Sequence, residues 1–429
     1  MIGVNYGRIA NNLPSPTNVV TLLKSQGINR IKIYDTDKTV LTSLANSGIK
    51  VVVSLPNELL SSTASDQSFS NKWVRHNIRK HFPKTKIEAI AVGNEVFVDP
   101  HNTTSYLVPA MKNIHTSLVK YKLHKSIKIS SPFALSALAN SYPPSSGSFK
   151  QELIEPVIKP ILDLLRQTSS YLMVNAYPFF AYSANVDKIS LDYALFRDNV
   201  GTVDSVNGLR YNSLFDAQLD AVYSAMSAVG FNDVKVMVTE TGWPSAGDEN
   251  EIGASESNAA AYNNGLVKRV FNGNGTPLRP NEPLNVFLFS LFNENQKPGP
   301  TSERNYGLFY PNEGKVYDVP FVAATSTPVN GNGDQVLGQT WCVSNGDAAR
   351  EKLQAALDYA CGEGGADCRP IQPGATCYHP KSLEAHASFA FNSYYQRNAR
   401  RVGTCYFGGT AHVVTQHPRY GKCEFPTEY

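Results

Sequence analysis

The first 341 residues contain no cysteine; all six cysteines of the 429-residue chain lie between Cys342 and Cys423. Other absences narrow the chemistry. No apolar run approaches the roughly 20 residues of a membrane span. Net charge is only +3, from 39 Lys and Arg against 36 Asp and Glu. That balance is too weak and dispersed for a nucleic-acid partner. No G-x-G-x-x-G or P-loop follows a candidate strand, so neither dinucleotide nor nucleoside triphosphate is expected. His76 and His81, like His412 and His417, are five apart and miss the i, i+4 metal-binding face. Ser245 lies in Gly242-Trp243-Pro244-Ser245-Ala246-Gly247, which lacks the spacing of a nucleophile elbow. No metal and no cofactor are expected. No secretory leader is visible either: Met1 leads directly into Ile2-Gly3-Val4-Asn5-Tyr6, the pattern of a mature form given a new initiator methionine.

What is present divides the chain in two. An even number of cysteines confined to the last 90 or so residues marks a small disulfide-stapled module. Gaps of 19, 7, 9, 28 and 18 residues fit no zinc template. Six cysteines alone leave 15 connectivities open. Ala323 to Gly333, rich in Ala, Thr, Ser, Asn and Gly, reads as a flexible linker. The boundaries expected are 1–320, a linker over 321–338, and a module over 339–429. Asn102-Thr103-Thr104 and Asn274-Gly275-Thr276 fit the glycosylation pattern, and with the cysteines they point to a secreted, extracellular or cell-wall protein.

The first region alternates. Candidate strands are 2–6, 30–34, 50–55, 87–92, 127–131, 171–175, 234–239 and 285–291, separated by helical patterns such as 17–26, 106–121, 214–229 and 258–271. Gly27, Gly48, Gly230 and Gly273 stand where helices stop. Eight strands alternating with helices predict an α/β fold, a (β/α)8 TIM barrel. A doubly wound open sheet is the competing arrangement.

Two glutamates carry the chemistry. Ile87 to Val92 runs into Gly93-Asn94-Glu95, and Val234 to Thr239 runs into Glu240-Thr241-Gly242. These are strands four and seven, so residues 145 positions apart meet at the C-terminal mouth, where barrel enzymes keep their catalytic groups. Two carboxyl groups flanking a bond are what glycoside hydrolysis requires. The alternative, that each glutamate caps the next helix, suits one such residue better than a matched pair.

These same residues carry a resemblance. Val236-Met237-Val238-Thr239-Glu240-Thr241-Gly242-Trp243-Pro244-Ser245 resembles the signature of glycoside hydrolase family 17, the plant endo-β-1,3-glucanases. Ala91-Val92-Gly93-Asn94-Glu95-Val96, Ile31-Lys32-Ile33-Tyr34-Asp35, Asn175-Ala176-Tyr177-Pro178-Phe179-Phe180 and Phe292-Asn293-Glu294-Asn295-Gln296-Lys297 match too. The second region resembles carbohydrate-binding module family 43, the X8 domain, through Trp341-Cys342-Val343, Leu357-Asp358-Tyr359-Ala360-Cys361 and Phe407-Gly408-Gly409-Thr410-Ala411. The combination is like that of long plant glucanases, some of them pollen allergens.

The resemblance implies retaining endo-hydrolysis of β-1,3-glucan, with Glu240 as nucleophile, Glu95 as acid/base and Asn94 as a donor to the sugar 2-hydroxyl. It further implies the bridges Cys342–Cys405, Cys361–Cys368 and Cys377–Cys423, and a monomer whose partner is the polysaccharide. Glu294, Lys297 and Glu303 match a charged cluster beside the nucleophile, where Lys297 is expected to hold Glu240 anionic; a surface ion-pair network is the alternative. Asn175, Tyr34, Tyr177, Phe180, Trp243 and Phe292 stand at or beyond strand ends as substrate-binding candidates. For Phe180, Trp243 and Phe292, barrel-top packing competes equally. In the module, Phe391, Tyr394 and Tyr395 have core spacing, while Tyr406 and Phe407 are the glucan-binding candidates. With nine basic and eight acidic residues from Gln335 on, those aromatics lack the basic setting of a nucleic-acid site. The rivals are a non-catalytic β-glucan-binding wall protein and a mixed-linkage β-1,3-1,4-glucanase.

Overall fold

A computed structural model describes residues 1–321, 340–345, 348–398, 400, 404–414, 417–421 and 423–427. All of the expected linker beyond Phe321 lies outside the described residues. The chain forms two compact units, Met1–Thr325 and Ser326–Tyr429.

The first unit is built on parallel strands β1 (Ile2–Asn5), β2 (Arg30–Lys32), β3 (Lys50–Leu55), β4 (Lys86–Val92), β5 (Lys128–Ser130), β6 (Pro132–Ala134), β7 (Tyr171–Asn175), β8 (Lys235–Thr241) and β9 (Val286–Leu288). Their order around the sheet is β5-β4-β3-β2-β1-β9-β8-β7-β6. Only Ser131 separates β5 from β6, so the two ends of this sheet are one stretch of chain. Nine segments thus trace an eight-stranded TIM-like barrel. The fifth strand, expected whole over 127–131, changes partner in the middle. Ala89, Ile90 and Ala91 pair with its first half, and Met173, Val174 and Asn175 with its second. Pro132, which has no N–H to give a ladder, stands at the change.

Strand residues are buried on both faces, which is why they read as continuous β-branched runs. Val52, Ala89, Ala91, Met173, Met237 and Phe287 fill the barrel interior. Val51, Val53, Ile90, Val174 and Val238 face the surrounding helices. Local signals start and stop those helices. The side chain of Ser15 caps Pro16–Ser25, Ser213 caps Leu214–Ala228, and Ser255 caps Glu256–Phe271. Gly27 and Gly230, with φ of 70° and 88°, turn the chain out of two of them.

Strand β8 runs two residues further than the expected end at Thr239, and its extension positions a key side chain. Val238 pairs with Val174, but the next partner of Asn175 is Glu240 rather than Thr239. The extra residue is a β-bulge. Alternation would have sent Glu240 outward with Val238; the bulge turns it inward. By contrast, the eighth strand keeps its ladder only over Val286–Leu288 of the 285–291 expected.

The second unit pairs Trp341–Ser344 antiparallel with Ala411–Val414, beside helices Arg350–Cys361 and Leu383–Arg397. Trp341, Leu353, Phe389, Phe391 and Phe425 form its core. Three disulfides staple it, Cys342–Cys405, Cys361–Cys368 and Cys377–Cys423, the pairing that the resemblance implies. A core this small gains from such cross-links, which reduce the freedom of the unfolded chain.

Candidate active site

A cavity of about 950 Å³ opens at the C-terminal ends of the barrel strands, and both Glu95 and Glu240 line it. Glu95 follows a tight turn after β4. Gly93 has φ of 67°, and a Cβ there would meet Val96 Cγ2 at 2.6 Å. Glu95 itself is left-handed, φ 48° and ψ 42°, a conformation that costs a non-glycine residue energy and clusters at functional sites. The turn is held from both sides. Asn57 accepts from the Asn94 N–H at 2.8 Å and donates to its carbonyl at 3.0 Å, while the Glu95 N–H donates to the Pro132 carbonyl at 3.0 Å. Asn175 Nδ2 donates to Glu95 Oε1 at 2.8 Å, and Thr239 Oγ1 fixes that amide by donating to Asn175 Oδ1 at 2.9 Å.

Glu240 sits among donors. Lys32 Nζ lies 2.7 Å from its Oε1, and the Tyr177 hydroxyl donates to Oε2 at 3.0 Å. The Tyr34 hydroxyl hydrogen-bonds Glu240 as well, and receives Asn5 Nδ2 at 3.0 Å. Lys32 also reaches Asn94 Oδ1 at 3.4 Å, linking the two carboxylate-bearing turns.

These environments push the two carboxyl groups apart. Burial, and then the Glu240 charge, raise Glu95 above the ordinary carboxylate range, against the Asn175 hydrogen bond and the lysine charges. Burial also acts to raise Glu240, but the charge and hydrogen bond of Lys32, with the Tyr34 hydroxyl, outweigh it and hold Glu240 low. Burial drives the Tyr34 and Tyr177 hydroxyls well above their usual range, and the Glu240 charge adds to it, so both remain donors. A carboxyl group held high and a carboxylate held low in one cleft are the pair that acid and nucleophile chemistry needs.

Of the candidates read from sequence, Tyr34, Asn94, Asn175, Tyr177, Phe180, Glu294, Lys297 and Glu303 all line the cavity. Trp243 and Phe292 do not and are corrected. Trp243 is fully buried, packs on Phe179, Tyr182 and Tyr262, and donates its indole N–H to the Gly253 carbonyl at 2.8 Å. Phe292 is buried edge-on against Tyr6 and Phe309. Both are barrel-top packing.

The charged cluster meets expectation in part. The Lys297 charge does lower Glu240, but Lys297 itself pairs with Glu303 at 2.9 Å and lies over the Phe289 ring. The cation in direct contact with Glu240, with the larger effect, is Lys32. Glu294 turns to the first loop, accepting from the Ile9 N–H at 2.8 Å. Sequence reasoning missed Lys32, although a lysine between Ile31 and Ile33 was the signal. Both isoleucines are buried outward, which forces the lysine between them into the barrel. Among the described residues no group of three or more metal-ligating side chains converges.

In the second unit a cavity of about 530 Å³ is lined by Lys352, Tyr359, Tyr394, Tyr406 and Phe407 among others. Tyr406 is 61% exposed; Phe407 stacks on Phe391 with centroids 4.1 Å apart. Tyr394, expected in the core, lines this cavity, and Tyr359 joins it 6.2 Å away.

The chain is similar to known proteins along its length. Residues 2–321 match the model of Glycosyl hydrolases family 17, and residues 340–412 match that of the X8 domain. Glucan endo-1,3-beta-glucosidase 12 of Arabidopsis thaliana is 43% identical over 448 residues, covering 98% of this chain and 84% of its own. Glucan endo-1,3-beta-glucosidase 13 of that plant is 41% identical over 431 residues, covering 99% and 85%. Among solved structures, CJP38, a β-1,3-glucanase and allergen of Cryptomeria japonica pollen, aligns with a TM-score of 0.72 and 44% identity. That alignment covers 75% of this chain and 99% of CJP38. With a family 17 match over nearly its whole barrel, an X8 match behind it and relatives above 40% identity along its length, the chain belongs to glycosyl hydrolase family 17 and carries an X8 domain.

Proposed function

We propose that the chain is a glucan endo-1,3-β-glucosidase that works with retention, Glu95 acting as acid/base and Glu240 as nucleophile. The observation that carries this is the opposed tuning of the two carboxyl groups in one cavity, Glu95 raised and Glu240 lowered. In the first step Glu240 attacks the anomeric carbon as Glu95 gives its proton to the leaving glycosidic oxygen. A glycosyl ester and a shortened glucan result. In the second, Glu95, now ionised, takes a proton from water as that water attacks the same carbon. Free Glu240 and a sugar of the starting configuration are released. Tyr177 and Lys32 hold Glu240 for the attack. Asn94, beside Glu95, suits the 2-hydroxyl contact that strengthens as positive charge develops.

The module is read as a β-1,3-glucan holder through Tyr406 and Phe407. Three disulfides suit an oxidising compartment, so we place the protein outside the cell, acting as a monomer. Reducing-sugar release from laminarin tests the activity, with products from mixed-linkage glucan as the comparison. Proton NMR of the first products tests retention, which calls for carboxyl groups about 5–5.5 Å apart. Early α-anomers from a β-glucan would overturn the double displacement. Glu240→Gln, which removes the charge and keeps the shape, is expected to abolish turnover.

A further inference from the structure

The cavity has two unlike ends. Residues following β1, β2 and β9 supply a charged end with Arg8, Asp35, Glu294, Lys297 and Glu303. Across the barrel, residues following β6 and β7 supply a neutral one, with Leu135, Ser136, Ser141, Phe180 and Ala181. One further polar side chain reaches this end from a helix. Gln218, on Leu214–Ala228, lines the cavity, is only 9% exposed, and has a buried Oε1 without a hydrogen-bond partner.

An unpartnered buried amide oxygen has lost its water without a replacement, and a native fold retains few of them without a reason. The terminal amide torsion is soft, so Gln218 can present its oxygen or its NH2 to a ligand. A sugar hydroxyl, both donor and acceptor, satisfies either. The neutral end also adjoins Glu95, whose N–H is held by Pro132 of β6 and whose carboxyl is held by Asn175 of β7. The group leaving with the acid's proton is therefore the one that occupies it.

We propose that Gln218 is a substrate-binding residue, the hydrogen-bonding group of a glucose subsite on the leaving-group side of the cleft. The inference rests on the glucan hydrolase reading above. It explains why a residue of this helix that lines the cavity keeps a buried amide oxygen with no protein partner.

The test compares wild type, Gln218→Leu and Gln218→Ala on two substrates. Linear laminarihexaose can fill the neutral end; an aryl glycoside of laminaritriose ends just past the scissile bond and cannot. Losing one neutral hydrogen bond is expected to lower kcat/KM on the hexaose roughly three- to tenfold. The loss on the aryl glycoside should be several times smaller, with the pH profile unmoved. Gln218→Leu should melt no lower than wild type, since it buries no unpaired oxygen. Equal losses on both substrates, or no loss on the hexaose, would overturn the subsite. A wild-type protein inactive on both would instead sink the hydrolase reading on which the subsite depends.

Discussion

Lys32 and Glu240 form a buried ion pair, Nζ to Oε1 2.7 Å, with the lysine side chain fully buried and the glutamate 8% exposed. Two strands bring them together across 208 positions of sequence. Charges this deep are stable only when paired and hydrogen-bonded. Here the pair has a chemical consequence, because the lysine charge, with the Tyr34 hydroxyl, outweighs burial and holds Glu240 low beside a raised Glu95.

Lys32→Met keeps the apolar stem and removes that charge. Burial then acts on Glu240 with less opposition, and its carboxyl rises. The acidic limb of kcat/KM against pH should move to higher pH, because a nucleophile that protonates more readily is lost sooner on acidification. Activity near pH 5 should fall on the order of tenfold or more, one pKa unit being worth a factor of ten in the ionised fraction. Lys32→Arg should restore part of it. A pH–rate profile checks this, and an acidic limb that stays in place would show that Lys32 does not set the ionisation of Glu240.

Glu95 makes a prediction about stability. Its folded pKa is raised, so between the unfolded and folded values the native state binds more protons, and stability falls as pH rises through that window. Above it, an ionised Glu95 is a net cost to folding. Glu95→Gln should therefore raise the melting temperature of the barrel at neutral pH, and the gain should vanish below about pH 4, where both forms are protonated. Turnover should be lost at both pH values. Melting curves at pH 7 and pH 3.5 test the sign.

Trp243 was a candidate sugar platform and is a packing residue, so its removal should act on the fold. Trp243→Ala empties a site lined by Phe179, Tyr182 and Tyr262 and should cost roughly 3–5 kcal/mol. On protein still folded at low temperature, KM for laminarin should change little. A large rise in KM without a drop in melting temperature would return Trp243 to the binding site.

The parts of this protein legible in its sequence are those that local chemistry dictates. Runs such as Lys50–Leu55, bounded by Gly48 and Pro56, can only be buried strands, and their count gives the barrel. Glu95 and Glu240 stand out because a carboxylate after such a run has few places to go except the barrel mouth. What could not be read depends on neighbours distant in sequence. The change of partner at Ser131 and the bulge at Thr239 are settled between strands, not within them. The flanking isoleucines show that Lys32 points inward, but its partner Glu240 lies 208 positions away, so the pairing is not contained in the local sequence. Trp243 and Tyr177 follow strands in the same way, and what separates packing from binding is the burial of Trp243 among Phe179, Tyr182 and Tyr262 with its indole N–H on the Gly253 carbonyl. Tyr359 and Tyr394 meet because two helices of the module pack together, a relation that helical spacing within either one does not contain.

The last prediction separates the two units. All candidate catalytic residues lie before Thr325, and all six cysteines lie after it, bridged in pairs. Each unit also has its own apolar core. Cleavage near Thr327 is therefore expected to give two soluble pieces. The first should hydrolyse short laminarin oligosaccharides at close to the intact rate, since no cysteine-bearing residue lines its cavity. The second should bind β-1,3-glucan without cleaving it. Linked sites raise effective concentration only on a polymer long enough to engage both, so the loss on cleavage should appear with insoluble glucan and shrink with chain length. Reduction should unfold the second piece, whose removal of cross-links costs about 2–5 kcal/mol apiece in small secreted domains, and leave the first unaffected. Activity on oligosaccharides, pull-down on insoluble glucan and melting with and without reductant measure the three parts. A first piece inactive on short oligosaccharides would mean that the module completes the active site, and the division of labour would have to be given up.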